Sequence, residues 1–234
     1  MKLSAPAKTI LLVALFAVAM GYLESAVVVY IRALYYPEGF AFPMKVISNS
    51  IMVTEFWREA ATIVMLLGVG ILAGKSAITR FAYFLLAFAV WDIFYYVFLW
   101  VLIGWPLSPM TWDVLFFIPT TWVGPVLAPV VNSLTMIALA LVIVFRADAK
   151  HRMRTGWLVW TLLGAGSLVI LYAYTEEYSR FMLQRYSWGQ LLSNGNQKEL
   201  LEYATSYIPQ HFKWWVFVVG EAMHLAAVGR LLAV

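Results

Sequence analysis

The sequence predicts an all-α fold, a polytopic membrane bundle of about six transmembrane helices. Hydrophobic residues make up 63% of the 234-residue chain, and the mean hydropathy is +0.82. Charged residues make up only 12%, where a soluble domain carries about 25%. Because each span uses about 20 residues, the chain has room for one bundle and little else. We therefore expect a single integral membrane domain over residues 1–234.

Apolar runs of span length define the predicted helices. No small-residue cleavage site closes the first run, so we expect a retained helix and not a signal peptide. Two glycine pairs, Gly68 with Gly70 and Gly164 with Gly166, favour close contact between helices. The runs fall at about 9–31, 54–74, 80–103, 121–145, 156–175 and 214–233.

Positive charges in the short connections predict the orientation of the bundle. The positive-inside rule places the basic connections, and with them both termini, in the cytoplasm of a bacterial-type inner membrane. Residues 32–53, 104–120 and 176–213 then face the external side. The basic residues on the cytoplasmic side are Lys2, Lys8, Lys75, Arg80, Arg146, Lys150, Arg152, Arg154 and Arg230.

Two external segments depart from the simple span pattern. Near 111–130 we expect a broken or re-entrant segment, because Pro125 and Pro129 each remove a backbone donor at the start of the fourth run. A plain proline kink is an equal alternative. Asp113, in an apolar stretch too short to span, is expected to be an interfacial cap and not a site residue. Between 178 and 207, two short amphipathic helices are expected on the membrane surface.

Ionisable residues inside the predicted spans mark the candidate site. Such a group in hydrocarbon costs about 2.5–3.5 kcal/mol on insertion scales, so it usually faces a protein interior and serves a function. At about 1.5 Å rise per residue, the carboxylates and the histidine fall in the external half of the bilayer, within a layer about 10 Å thick. We therefore predict one buried, carboxylate-rich site open to the external side. Its candidate residues are Glu24, Arg58, Glu59, Asp92, Glu221 and His224.

Acid–base chemistry is one use of such a cluster. Glu24, Glu59 and Asp92, with Arg58 beside them, are the candidate catalytic residues, and Glu55 shares the helix face of Glu59. Excess buried negative charge requires protonation or a bound cation, and a protonated buried carboxyl is a proton donor. The candidate substrate-lining residues, whose aromatic rings equally suit helix packing, are Tyr22, Trp57, Trp91, Tyr95, Tyr96 and Asn132.

Metal binding is the other use. Glu221 and His224 are three residues apart, the spacing used in di-iron and di-manganese bundles, but no second span carries a histidine, so this resemblance is partial. With Glu59, Glu24 and Asp92 they form a candidate set for a divalent ion such as Mn, Fe or Zn. Hydrogen bonding between helices is the alternative role of the pair. Too few histidines are present for bis-histidine haems, and no cysteine is present for thiolate ligation.

These observations predict a metal- or acid-dependent enzyme that acts on a lipid-soluble substrate. Two alternatives remain open, a proton- or cation-coupled transporter and an integral subunit of a larger membrane complex. The expected partners are the lipid bilayer and a hydrophobic small molecule or a cation. No basic patch suggests nucleic acid binding.

Overall fold

Long helices dominate the computed structural model, which describes residues 4–118, 120–150, 155–192 and 197–233. Six of them are long and apolar enough to cross a membrane, which confirms the prediction of a six-span helical bundle. They are α1 (Ala5–Tyr35), α2 (Asn49–Ala73), α3 (Ala77–Ile103), α4 (Leu127–Lys150), α5 (Trp157–Leu183) and α8 (Trp214–Ala233). The short helices α6 (Trp188–Leu192) and α7 (Gln197–Thr205) lie between α5 and α8.

Helix α3 is the centre of one half of the bundle. Helices α1, α2 and α4 all pack against it, whereas α1 and α2 make few contacts with each other. Small side chains allow this close packing, since Ala17, Ala87 and Ala140 are completely buried where the helices meet. Helices α5 and α8 form a second pair that joins the first group through α4. Residues of both α1 and α2 therefore remain available to line a cavity between them.

The segment near 111–130 is a two-stranded antiparallel hairpin and not a break within a helix. Strand β1 (Trp112–Phe116) pairs with β2 (Trp122–Pro125), and Asp113 lies opposite Gly124. Helix α4 then begins at Leu127 without interruption, because Pro129 lies in the first turn, where a backbone N–H has no acceptor within the helix. The prolines therefore mark the start of a helix. We call the end of the bundle that carries this hairpin the hairpin side.

Helix α5 extends further than the sequence predicts and supports the short helices. It runs to Leu183, beyond Glu176, where the external loop was expected to begin. Two short helices do follow within the expected region, at 188–192 and 197–205. Glu177 fixes the connection to α8, since its carboxylate accepts hydrogen bonds from the Tyr207 hydroxyl at 2.8 Å and from the backbone N–H of His211 at 3.1 Å. Helix α7 is thereby held over the hairpin side.

Candidate functional site: a polar cavity on the hairpin side

A cavity of about 400 Å³ lies on the hairpin side, between α1, α2, α3, the hairpin and α7. Its wall is unusually rich in charge for a membrane protein interior. Three basic residues line it, namely Arg32, Lys45 and Arg58. Five carboxylates also line it, namely Glu24, Glu55, Glu59, Asp92 and Asp113.

Arg58 joins the two helices that otherwise make few contacts. Its guanidinium forms an ion pair with Glu24 of α1, and its Nε donates to Glu55 of α2 at 2.8 Å. The Thr62 hydroxyl donates to the other oxygen of Glu24 at 3.3 Å. Glu55, Arg58 and Thr62 meet on one face of α2 because they are spaced i, i+3 and i+7. One guanidinium thus balances two carboxylates.

Glu59 is held by the backbone of the hairpin. The residue is only 6% exposed, and its Oε2 accepts a hydrogen bond from the Phe117 N–H at 3.0 Å. Among the described residues no hydrogen bond reaches its other oxygen, and no lysine or arginine forms an ion pair with it. Glu59 therefore presents an unengaged carboxyl oxygen on a side chain that is fixed in place.

Asp92 of α3 has the same kind of environment. The hydroxyl of Ser133, a fully buried residue of α4, donates to Asp92 Oδ2 at 2.8 Å. Within the described chain, Oδ1 has no hydrogen-bond partner and no basic residue forms an ion pair with the carboxylate. Asp92, like Glu59, is oriented by one neutral donor.

Asp113 is a buried residue of the cavity wall, so the expectation of an interfacial cap is corrected. It is 2% exposed, because the hairpin folds into the hairpin side of the bundle. Its Oδ1 lies 3.5 Å from Arg32 Nη2, and its Oδ2 accepts a hydrogen bond from the Tyr96 hydroxyl at 3.2 Å. Burial raises the pKa of Asp113 to about 6, although Arg32 and Tyr96 act in the opposite direction.

Arg32 is another residue of the cavity wall that the sequence analysis did not predict. Ending the first span at residue 31 assigned Arg32 to a loop, whereas α1 continues to Tyr35. Its spacing was an available signal, because Glu24, Val28 and Arg32 follow i, i+4 and i+8 on one helix face, and all three line the cavity.

The predicted catalytic residues all reach the cavity. Glu24, Arg58, Glu59 and Asp92 line it together. Of the residues predicted to line a substrate, Trp91, Tyr95 and Tyr96 do so as well, on the face of α3 that carries Asp92.

The other three predicted lining residues lie elsewhere. Tyr22 is 46% exposed and packs edge-on against Phe98, with 5.3 Å between ring centroids. Trp57 is 66% exposed, on the outer face of α2 beside Phe56. Asn132 is not among the lining residues, and its side-chain oxygen is buried without a hydrogen-bond partner.

The predicted metal ligands are not gathered at one point. His224 packs against α5, where its Nε2 atom is 3.2 Å from both the Ser167 hydroxyl and the Leu163 carbonyl oxygen. Glu221, one turn earlier in α8, is buried as well. Neither lines the cavity that contains Glu24, Glu59 and Asp92. Within the described ranges, no group of three or more His, Cys, Asp or Glu side chains is placed to hold a metal ion.

Comparison of the chain with protein-family models, with curated proteins and with solved structures gave no match. The chemistry of the cavity itself is therefore the basis on which a function is proposed.

Proposed function

We propose that this protein is a membrane enzyme that carries out acid–base chemistry on a lipid-soluble substrate, with Glu59 and Asp92 as the proton-transferring residues. The observation that carries the proposal is that each of these cavity-lining carboxyls has one oxygen fixed by a neutral donor and one oxygen unengaged among the described residues. A general acid or base needs this combination of a fixed position and a free site for the proton.

The arginines of the cavity separate these two carboxyls from the other three. Arg58 is engaged by Glu24 and Glu55, and Arg32 is engaged by Asp113. The guanidinium partners contact oxygens of Glu24, Glu55 and Asp113, so these oxygens are already engaged and are not free to exchange a proton with a bound molecule. Proton exchange with a bound molecule is therefore assigned to Glu59 and Asp92, where general acid–base catalysis contributes typically about 10²- to 10⁴-fold in rate.

The apolar part of the wall supports a lipid-soluble substrate. A volume of about 400 Å³ falls within the range of roughly 300–1,000 Å³ for small-molecule sites. The few contacts between α1 and α2 leave a route from the surrounding lipid. Trp91, Tyr95 and Tyr96 line the same cavity, and aromatic rings can stabilise positive charge that develops on a substrate.

The acid–base version is preferred to the two alternatives that concern ions. A metal-dependent reaction has less support, because the described residues gather no set of three ligands. Transport requires a path to the opposite face of the membrane, whereas the residues of the long helices that line the cavity lie between the middle of each helix and its hairpin-side end. With both termini in the cytoplasm, as the basic loops favour, the cavity would open towards the external side.

Substitution of the two proton-transferring residues tests the proposal. We expect Glu59→Gln and Asp92→Asn, which keep the shape of the side chain, to lower turnover by about 10²-fold or more. The purified variants should then retain the unreacted substrate. The measurement is mass spectrometry of lipid-soluble molecules that copurify with each protein, compared with the wild type.

Glu38→Gln is the matched control, because Glu38 is an exposed carboxylate outside the cavity wall. It should carry the same molecules as the wild type. If Glu59→Gln and Asp92→Asn insert normally and also carry the wild-type molecules in wild-type proportions, the assignment of acid–base chemistry is wrong.

A further inference from the structure

Several hydrogen-bond donors that line the cavity have no acceptor among the described residues. We define the donor cluster as Arg32 at the end of α1 and Tyr36 and Lys45 in the connection to α2, all of which line the cavity. Tyr36 follows Arg32 by one helical turn. The backbone N–H of Lys45 donates to the Tyr36 hydroxyl oxygen at 2.7 Å, and the Lys45 ammonium lies 5.6 Å from the centroid of the same ring. The three residues therefore form one group.

Arg32 is fixed but incompletely paired. Its side chain is 9% exposed, and its guanidinium carbon lies 3.7 Å from the centroid of Trp105 and 4.7 Å from that of Phe40. Only Nη2 contacts an acceptor among the described residues, the carboxylate of Asp113 at 3.5 Å, and Nη1 is buried without a partner. Buried donors almost always have acceptors, so an unpaired one requires a specific explanation.

Tyr36 and Lys45 add further donors. The Tyr36 oxygen accepts the Lys45 N–H, but the phenolic hydrogen has no acceptor within the described residues. Burial raises the pKa of Tyr36, which keeps the phenol protonated and therefore able to donate. The Lys45 ammonium is exposed and forms no ion pair with a described residue. Two cations and a phenol thus face the cavity with one carboxylate, Asp113, among them.

From this geometry we infer that the cavity binds an amphiphile with an anionic oxygen head group, a carboxylate or a phosphate, which the donor cluster holds. Hydrogen bonds between charged donors and anionic oxygens are among the strongest in proteins, and guanidinium geometry suits both head groups. The identification of this amphiphile as the substrate rests on the proposed function, whereas the inference that the cavity binds it is independent of that function.

The hairpin sets the distance between the head group and the acid–base residues. Asp113, which contacts Arg32, and Phe117, which contacts Glu59, are four residues apart along β1 and its end. At about 3.3 Å per residue this separation is at most about 13 Å. The donor cluster and Glu59 are therefore held at different points along the hairpin, and the reacting atoms would belong to the apolar part of the molecule.

The wall between these points matches an apolar chain. Val28 and Ile31 of α1 and Met52 and Phe56 of α2 all line the cavity. Because these helices contact each other little, a long tail can pass between them into the bilayer. A free inorganic anion would use the donors and leave this apolar surface unfilled.

Binding of defined probes to the full chain in lipid nanodiscs tests the inference. We expect dodecyl phosphate and dodecanoate to bind, dodecanol to bind at least about 10-fold more weakly, and inorganic phosphate not to compete. Arg32→Gln should weaken dodecyl phosphate about 10- to 100-fold, and Tyr36→Phe and Lys45→Gln about 3- to 10-fold each. Arg180→Gln, which removes an exposed cation outside the cavity, should bind like the wild type.

Each contrary result has a distinct meaning. Equal binding of dodecanol and dodecyl phosphate would show that the head group is not recognised. Full competition by inorganic phosphate would show that the site binds a free anion and not an amphiphile. Either result overturns the inference. Should Arg32→Gln fail to fold because Asp113 loses its partner, Tyr36→Phe and Lys45→Gln still decide the question, since neither side chain forms a buried ion pair.

The same experiment separates this inference from the proposed reaction. Glu59→Gln should bind dodecyl phosphate like the wild type, because Glu59 contacts the hairpin at Phe117 and forms no hydrogen bond or ion pair with a residue of the donor cluster among the described residues. Suppose that binding depends on the donor cluster but that Glu59→Gln copurifies with the same molecules as the wild type. The amphiphile site would then be supported and the proposed reaction contradicted. If the protein instead binds dodecanol as well as dodecyl phosphate, and Glu59→Gln retains unreacted substrate, the proposed reaction would be supported and the amphiphile site contradicted.

Discussion

At the scale of single residues, neighbours make the five carboxylates of the cavity chemically different. Arginine partners engage three of them, Glu24, Glu55 and Asp113. Neutral donors hold the other two, Glu59 and Asp92. Position in the bilayer does not distinguish these groups, because all of them line one cavity. Their division into structural ion pairs and proton-exchanging groups follows from the partner of each side chain.

Asp113 gives a pH dependence with a definite sign. Burial raises its pKa to about 6, so the folded chain holds the proton more tightly than the unfolded chain does. The resulting stabilisation is fully present below about pH 4 and is lost as the pH rises through about 6, a change of roughly 3 kcal/mol in the free energy of unfolding. Thermal unfolding of the purified protein, followed by tryptophan fluorescence between about pH 4 and pH 7, measures it.

Asp113→Asn is the reference for this measurement. Asparagine resembles the protonated acid and does not titrate, so the difference between wild type and variant isolates Asp113 from the other carboxyls. The stability of the wild type should fall relative to the variant as the pH rises. A difference that is independent of pH, or that grows in favour of the wild type, would show that Arg32 outweighs burial at this residue.

At the scale of elements, glycine permits the close crossing of α5 and α8. A Cβ on Gly220 of α8 would lie 2.5 Å from a side-chain carbon of Ile170 and 2.9 Å from the carbonyl oxygen of Gly166, both on α5. A Cβ on Gly166 would lie 2.6 Å from the ring of His224. The sequence predicted close helix contact at both Gly164 and Gly166 of α5. Gly166 makes such a contact with α8, whereas a Cβ on Gly164 would meet open space.

Alanine at this crossing should destabilise the pair of helices. We expect Gly220→Ala and Gly166→Ala to lower the free energy of unfolding by about 1–3 kcal/mol, because overpacking forces the backbones apart. Gly164→Ala and Gly229→Ala are the controls, since nothing lies within 4 Å of a Cβ there. They should be neutral or slightly stabilising, because alanine favours the helix. Equal effects at all four positions in thermal unfolding would contradict the close crossing.

The hairpin is the element that the sequence could not predict in detail. Its residues are apolar, and proline occurs at both Pro125 and Pro129, a pattern that fits a broken helix as well as a strand that precedes a helix. The deciding interactions are distant in sequence, since Asp113 contacts Arg32 and Phe117 contacts Glu59. Local propensity contains no information about such contacts, so the buried role of Asp113 emerged only with the tertiary structure.

At the scale of the molecule, the sequence predicts the position of a residue along its helix but not which other helix that residue contacts. The rise of a helix fixes how far along its axis each residue lies, and Glu24, Glu59 and Asp92, which were expected at similar depth, line one cavity. The same reasoning placed Glu221 and His224 beside them, but α8 packs against α5 and α4, away from α1 and α2. Hydropathy gives the spans and their order. The packing partner of each helix depends on the side chains of both helices.

The orientation of the whole molecule is open to a direct test, because the chain contains no cysteine. Gly189→Cys places one thiol at an exposed position on the hairpin side, and Lys75→Cys places one at an exposed position at the opposite end, between α2 and α3. If the basic loops are cytoplasmic, a membrane-impermeant maleimide applied to intact cells should label the first variant alone. The second should react only after permeabilisation. Labelling in the opposite order would turn the cavity towards the cytoplasm, and its amphiphile would then have to come from the inner leaflet.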